Sequence, residues 1–175
     1  MGDGNLSNPN GRAVRLRITC DTKYKKIIEN IILSIKKLLP DNKVSIVKRE
    51  RSCIDISCYS NKWESFLGWK VGHGSKEKQK ISVPSWIKKN KSYALSCMKG
   101  LFETDGSIYM DRKYKMVNFV TIIPSLANDV IEMINFVGFR PNIQILESSN
   151  RKIKHTIRIS RNAERFIELV NINKS

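Results

Sequence analysis

Two acidic residues stand out by where they fall. The window Ala94 to Ser107 reads ALSCMKGLFETDGS, a pattern that predicts a helix ended by a glycine, with Glu103 and Asp105 in its last turn. The backbone carbonyls make that end of a helix negative, so an acid there is unfavourable by up to about 1 kcal/mol and a lysine would serve structure better. An ordinary core helix with a glycine cap is the competing explanation, but it gives no reason for the acids. A hard divalent cation does, because Mg²⁺ takes oxygen ligands and commonly only one or two from protein carboxylates. Glu103 and Asp105 are therefore candidate metal ligands. On the same helix Ser96, Gly100 and Thr104 recur four residues apart, a small-residue stripe that would let a second helix approach closely. His73 sits between glycines and His155 on the apolar side of its predicted strand, neither with a partner at ligand spacing. Cys20, Cys53, Cys58 and Cys97 show no CxxC pairing, which argues against a zinc site or a disulfide framework and for reduced core thiols.

The elements around this window are legible from periodicity. Leu6, a turn-rich Ser7 to Gly11 and an alternating Arg12 to Cys20 predict a hairpin, with Leu16, Ile18 and Cys20 on one face and Arg15, Arg17 and Thr19 on the other. Asp21 is placed to cap an amphipathic helix carrying Ile27, Ile28, Ile31, Ile32, Ile35, Leu38 and Leu39, which Pro40 ends. Strands follow at 44–49 and 53–59, then a short helix with Trp63, Phe66, Leu67 and Trp69. After Gly106 the order returns: strands 108–110 and 116–121, a helix 125–137, strands near Ile143 and Ile157, and a closing helix. Asp3-Gly4 matches Asp105-Gly106, Thr19 matches Thr121, and Ser60, Glu64 and Phe66 match Ser160, Glu164 and Phe166, so the chain reads as two copies of one αββαββα unit with pseudo-twofold symmetry. The expected divisions are a first repeat at 1–75, a basic linker at 76–93 and a second repeat at 94–175. Trp63, Trp69 and Trp86 lie among apolar neighbours and are expected to be core.

With 175 residues the chain can bury a core without staples, and 32 Lys plus Arg against 16 Asp plus Glu leave a net charge of +16. Combined with 41% hydrophobic residues, that charge describes a folded basic protein with a polyanionic partner. The segment Lys70 to Lys91 alone holds seven lysines and one glutamate. No apolar run reaches the roughly 18 residues of a membrane span, and Met1-Gly2-Asp3-Gly4 does not read as a signal peptide, so an intracellular location, cytoplasmic or in an organellar matrix, is expected.

Met98 to Gly106, extended as GLFETDGS, resembles the second signature helix of the LAGLIDADG homing endonucleases. The stretch Ile81-Ser82-Val83-Pro84-Ser85-Trp86-Ile87 ahead of it, the repeated strand order and the Ser-x-x-x-x-x-Phe helices extend the resemblance over nearly the whole chain. It implies an α+β fold of two pseudo-symmetric αββαββα half-domains with a saddle-shaped antiparallel DNA-binding sheet. It also implies that the acid before each final glycine binds metal: Asp105, and Asp3 in the first repeat. The first motif is represented only by Gly2-Asp3-Gly4. Two arrangements are open: a monomeric pseudo-dimer, or a homodimer through the Ser96, Gly100 and Thr104 face, with Asp105 from both chains at the site. By the same resemblance a basic residue borders the site, placed at Lys76 or Lys78.

The implied activity is site-specific double-strand DNA cleavage with Mg²⁺ or Mn²⁺, Ca²⁺ binding without supporting cleavage. Such genes lie in introns, in inteins or free-standing. Alternating strand faces supply the candidates for reading bases: Arg15, Arg17, Thr19, Lys48, Asn118, Asn142, Gln144, Lys154 and Arg158. Hairpin tips supply phosphate contacts: Arg49, Arg51, Arg112, Lys113, Arg151 and Lys152. A solvated outer face is the plain alternative for any single strand; the recurrence in both repeats favours double-stranded DNA. The other functional class is a catalytically silent nucleic-acid binder, either a maturase-like partner of structured intron RNA or a degenerate DNA binder. A ribosome- or chromatin-associated protein would explain the charge but neither the acid pair nor the duplication.

Overall fold

The computed structural model describes residues 4–49, 52–148 and 151–174. The chain divides between Gly74 and Ser75 into two compact units. In the first, the alternating segments form β1 (Gly4–Ser7), β2 (Arg15–Asp21), β3 (Val44–Lys48) and β4 (Cys53–Tyr59), joined by α1 (Lys25–Leu38) and followed by α2 (Trp63–Leu67). They make one antiparallel sheet in the order β1-β2-β4-β3. Period-two alternation sends Leu16, Ile54, Ile56 and Cys58 to one face, where they meet Ile35 and Leu39 and the half-buried Ile28, Ile31 and Ile32. Trp63 closes this core, its indole N–H donating to the Cys58 carbonyl at 3.0 Å.

The second unit contains α3 (Ser85–Lys88), α4 (Lys91–Asp105), β5 (Gly106–Asp111), β6 (Tyr114–Thr121), α5 (Pro124–Phe136), β7 (Asn142–Ser148), β8 (Arg151–Ile159) and α6 (Ala163–Val170). Its sheet runs β5-β6-β8-β7, the same order as the first. Phe102 of α4 lies 5.6 Å from Phe119 and 5.3 Å from Phe166, ring to ring, so the candidate motif helix is seated on the sheet and on α6 by aromatic packing. Residues 76–93, expected as a linker, lie in this unit. Ile81 and Val83 are buried, and the Asp129 carboxylate of α5 takes the Ser82 hydroxyl at 2.7 Å, the Val83 N–H at 2.6 Å and the Lys88 ammonium at 2.7 Å.

Three expectations change in detail. Asp21 is not a helix cap: it ends β2, its Oδ1 accepts the Lys23 N–H at 2.9 Å, and α1 starts beyond it with no side-chain cap. Trp63 and Trp69 are core, but Trp86 is 62% exposed and packs edge-on against Tyr93 at 5.6 Å. The two repeats align one residue away from the Thr19–Thr121 match. Gly4 faces Ile18 whereas Gly106 faces Phe119, so the first hairpin is one residue longer and Val120 takes the place of Thr19. The closing helices also differ inside: Trp63 is buried and Phe66 exposed in α2, while Phe166 fills the corresponding space from α6.

All four cysteines are free thiols. Cys58 is buried in the core as expected, whereas Cys20, Cys53 and Cys97 are half-buried; burial raises the Cys58 thiol and pushes that of Cys97 up to about 11. No helix among the described residues is long and apolar enough to cross a membrane.

Candidate functional site

The helix α4 begins at Asn90, whose side chain accepts the Tyr93 N–H at 3.1 Å, and buries Ala94, Met98, Leu101 and Phe102. It ends at Gly106, though not by the left-handed turn common at helix ends, because Gly106 has φ −82° and runs straight into β5. Glycine is required there by proximity: a Cβ would lie 2.5 Å from the Phe102 carbonyl oxygen and 2.8 Å from its Cα. The chain must fold back against its own last turn, and Asp105 is left exposed at that corner.

The two acids occupy different environments. Glu103 is 8% exposed, and its Oε1 accepts the Asn173 backbone N–H at 2.9 Å with the Lys99 ammonium 3.9 Å away. It anchors the C-terminal segment to the helix, which separates it from Asp105 and explains its presence without a metal. The unfavourable negative helix end is compensated by a residue the sequence pattern did not flag. The Lys174 ammonium donates to the carbonyls of Thr104 at 3.2 Å, Phe102 at 3.4 Å and Gly106. A lysine seventy residues downstream in sequence thus does what a lysine in the last turn would have done.

Asp105 is an exposed carboxylate on a rigid corner, a donor that suits a hard cation taking few protein ligands. Asp3, the second expected ligand, lies outside the described residues. No group of three or more His, Cys, Asp and Glu comes together among the described residues. Lys76 and Lys78 sit in a tight turn closed by Gln79 N–H to the Ser75 carbonyl at 3.0 Å and Ile81 N–H to the Lys76 carbonyl at 3.2 Å. Lys78 is exposed and Lys76 half-buried.

The helix stripe is smooth. The Ser96 and Thr104 hydroxyls bond back to the Ser92 and Gly100 carbonyls, each at 3.0 Å, and nothing lies within 4 Å of where a Gly100 Cβ would be.

Strand register sorts the candidate base readers. In the first unit Arg15, Arg17 and Thr19 lie opposite Tyr59, Ser57 and Asp55, all on the face away from the core. Arg15 Nε donates to the Ser7 hydroxyl at 3.2 Å. Lys48 does not belong to that set: it lies opposite Ile54 and shares the Val44 and Ile46 face, toward the helix side. Arg49 is exposed and bonded to Asp55, an acid that the charge pattern did not single out. In the second unit Asn118 and Asn142 flank Arg158, and Gln144 lies beside Thr156 and Lys154 beside Leu146, again on the face away from the core. The Asn118 side chain accepts from Arg158 Nε at 3.2 Å and donates to the Tyr109 hydroxyl at 3.2 Å, while Asn142 donates to Ser160 at 3.0 Å. Arg112 and Lys113 form the exposed two-residue tip between β5 and β6, Arg112 with φ 55°. Lys152 is paired with Glu77, so part of its charge is compensated. Arg51 and the Arg151 side chain lie outside the described residues. His155 faces Thr121 and Ile145 on the core side of its strand, as expected.

Residues 92–171 match the model of a LAGLIDADG-like domain. Among curated proteins, the ATP-dependent DNA helicase Hel308 of Thermococcus kodakarensis is 24% identical over 132 residues, which are 73% of this chain but 12% of the helicase. The chain thus spans only a small part of that relative's length. Among solved structures, mesophilic variants of the homing endonuclease I-DmoI match with a TM-score of 0.67 at 18% identity, over 99% of this chain and 92% of theirs. I-DmoI in complex with DNA and Ca matches at 0.64 and 20% identity, over 97% of this chain and 82% of that one. The N-terminal LAGLIDADG domain of DUF199/WhiA matches at 0.60 and 16% identity, over 99% of this chain and 78% of that one. At these identities the structural likeness establishes the fold.

Proposed function

We propose, for a chain whose residues 92–171 match the LAGLIDADG-like domain, that the protein is a site-specific double-strand DNA endonuclease of homing type, working with Mg²⁺ or Mn²⁺. The observation that carries this reading is the corner at Asp105 and Gly106: a glycine with no room for a Cβ holds an exposed carboxylate at a fixed point on a packed helix. Such rigidity is unnecessary for a surface acid and useful for a ligand of a reactive centre. The I-DmoI structures, solved with DNA and with Ca, Mg or Mn, support a divalent cation and a DNA partner for this chain.

In this reading Asp105 holds the cation, with Asp3 as its counterpart in the first repeat, and Lys76 or Lys78 supplies positive charge beside the scissile phosphate. The bound cation would activate water and stabilise the leaving oxygen. Everything else is done by the chain's own residues. Lys174 offsets the negative charge of the helix end beside Asp105 by donating to its last carbonyls. Arg17 on the first sheet, and Arg158, Asn118 and Gln144 on the second, would each read base edges in a major groove, and Arg112 and Lys113 would neutralise phosphates at a hairpin tip. The free cysteines fit a reducing intracellular compartment.

A silent nucleic-acid binder is the second reading. It is favoured by Glu103, a candidate metal ligand whose carboxylate is instead buried and bonded to the Asn173 N–H. The fold is common to I-DmoI and the WhiA domain, so it leaves cleavage to be tested. The test is linearisation of a plasmid carrying the duplex that flanks the protein's gene. Mg²⁺-dependent double-strand cutting is expected; tight binding of that duplex with no cutting in Mg²⁺ or Mn²⁺ selects the second reading.

A further inference from the structure

One residue on the outer face of the first sheet runs against the charge expected there. Asp55 is on β4, an inner strand of that sheet, where Ile54, Ile56 and Cys58 face the core and Asp55 and Ser57 face away. Although on the outer face, Asp55 is only 4% exposed. Thr19 of β2 and Val47 of β3 lie directly opposite it on either side. Its Oδ1 accepts the Thr19 hydroxyl at 2.7 Å. Its Oδ2 accepts Arg49 Nε at 2.6 Å and lies 2.5 Å from Nη2. Burial pushes this carboxyl up, but the Thr19 hydroxyl, the Arg49 guanidinium and the nearby charge of Arg17 outweigh burial and hold it below the usual carboxylate range. It is an anion in a surface otherwise suited to a polyanion.

Stability does not account for it. The Asp55 side chain is buried and that of Arg49 half exposed, so the pair offsets the cost of burying the carboxylate rather than adding much net free energy. What the pair does fix is orientation. A guanidinium is a planar fork; with the Nε edge tied to Asp55, the edge formed by Nη1 and Nη2 is the one left for a ligand. That edge matches the O6 and N7 acceptors of guanine in the major groove. A phosphate would fit the same edge, but the charge of Arg49 is already balanced by Asp55, which removes most of the coulombic gain of a phosphate contact and leaves the directional hydrogen bonds. In the second unit Arg158 is held instead by the neutral amide of Asn118, and keeps its full charge.

We propose that Asp55 is a positioning residue that determines specificity: it holds Arg49 so that Arg49 reads one guanine. The proposal rests on the DNA-binding reading given above, and it assigns Arg49 to base recognition rather than to phosphate contact.

The experiment is selection from a randomised duplex pool in Ca²⁺ with the full chain, Asp55→Asn, Arg49→Ala and the double variant. Titration then follows on the consensus and on the same duplex with 7-deazaguanine at each guanine in turn. The expected result is one guanine whose loss weakens wild-type binding by roughly 5- to 150-fold, corresponding to the 1–3 kcal/mol of a bidentate contact. Arg49→Ala and Asp55→Asn are each expected to lose that preference at the same position, and the double variant to lose no more than either. Non-specific duplex should bind Asp55→Asn as tightly as wild type or tighter, since an anion has been removed; a purely structural role would weaken both kinds of binding together. Should Asp55→Asn fail to fold by circular dichroism, Arg49→Lys carries the test, because lysine keeps the charge and lacks the fork. Full guanine preference in Arg49→Lys or in folded Asp55→Asn overturns the proposal while the DNA-binding reading stands. A wild-type pool with no enriched sequence overturns both.

Discussion

The two glycines of the motif helix should respond to alanine with opposite signs. Gly106 has backbone angles any residue can adopt, so strain in φ is not at issue. The difficulty is contact: an added Cβ would meet the Phe102 carbonyl oxygen at 2.5 Å and its Cα at 2.8 Å, both backbone atoms that a rotamer change cannot move. Overpacking of this kind costs about 1–3 kcal/mol, and the upper half is expected because the helix end itself must shift. At about 2 kcal/mol, and with 1 kcal/mol shifting Tm by about 4–8 °C for a unit of about 100 residues, Gly106→Ala should lower the melting temperature of the second unit by roughly 10 °C. Gly100 is an exposed interior position of the same helix with nothing within 4 Å of a Cβ. Gly100→Ala should therefore stabilise by about 0.5–1 kcal/mol, through the backbone entropy that glycine loses on folding. Thermal melts followed by circular dichroism, run on the full chain, would separate the two. A neutral Gly106→Ala, or two glycines behaving alike, would refute the claim that close approach is what fixes the corner beside Asp105.

Other outcomes follow from the same contacts. Asp129→Ala leaves the Val83 N–H and the Ser82 hydroxyl without their acceptor and the Lys88 ammonium with Glu132 alone, and should cost about 3 kcal/mol in chemical denaturation. Lys88 has its pKa raised by hydrogen bonds to Asp129 and Glu132, so its contribution is complete below the ordinary lysine value and is lost as pH rises through the raised one; alkaline melts of wild type and Lys88→Met should converge. Glu103→Gln should loosen the Asn173 anchor and lower Tm while leaving duplex affinity unchanged, whereas a metal ligand would change Mn²⁺ or Ca²⁺ affinity measured by calorimetry. With roughly ten phosphate contacts, log K for duplex DNA should fall against log salt with a slope near −9, and a flat slope would remove the groove-tracking model.

What the sequence made legible was whatever is governed by local period. The Leu16 and Ile18 face and the Arg15 and Arg17 face could be read because strand alternation is a two-residue rule, and register bears it out. The same rule sets Lys48 with Val44 and Ile46, although its charge alone would suit the DNA face. Glu103 was not legible in its actual role, since its partner Asn173 lies 70 residues away and nothing local announces it. Lys174 is the same case, a helix-end cation supplied by tertiary structure rather than by the helix itself. Asp55 looked like a polar residue in an alternating strand, and only the pairing of β4 with both β2 and β3 brings Thr19 and Arg49 to its carboxylate. The off-by-one match of Thr19 to Thr121 shows the limit of comparing identities across a repeat. The residue types agree, but one extra residue in the first hairpin sets Thr19 opposite Asp55 and Thr121 opposite His155.

Whether the Asp105 carboxylate serves a cation-dependent phosphodiester cleavage is decided by single-turnover cutting of a selected duplex by wild type and Asp105→Asn, in Mg²⁺, with binding of both measured in Ca²⁺. Wild type is expected to cut both strands, Asp105→Asn to cut only at background, and both to retain binding. Equal cutting by the two proteins would contradict that role.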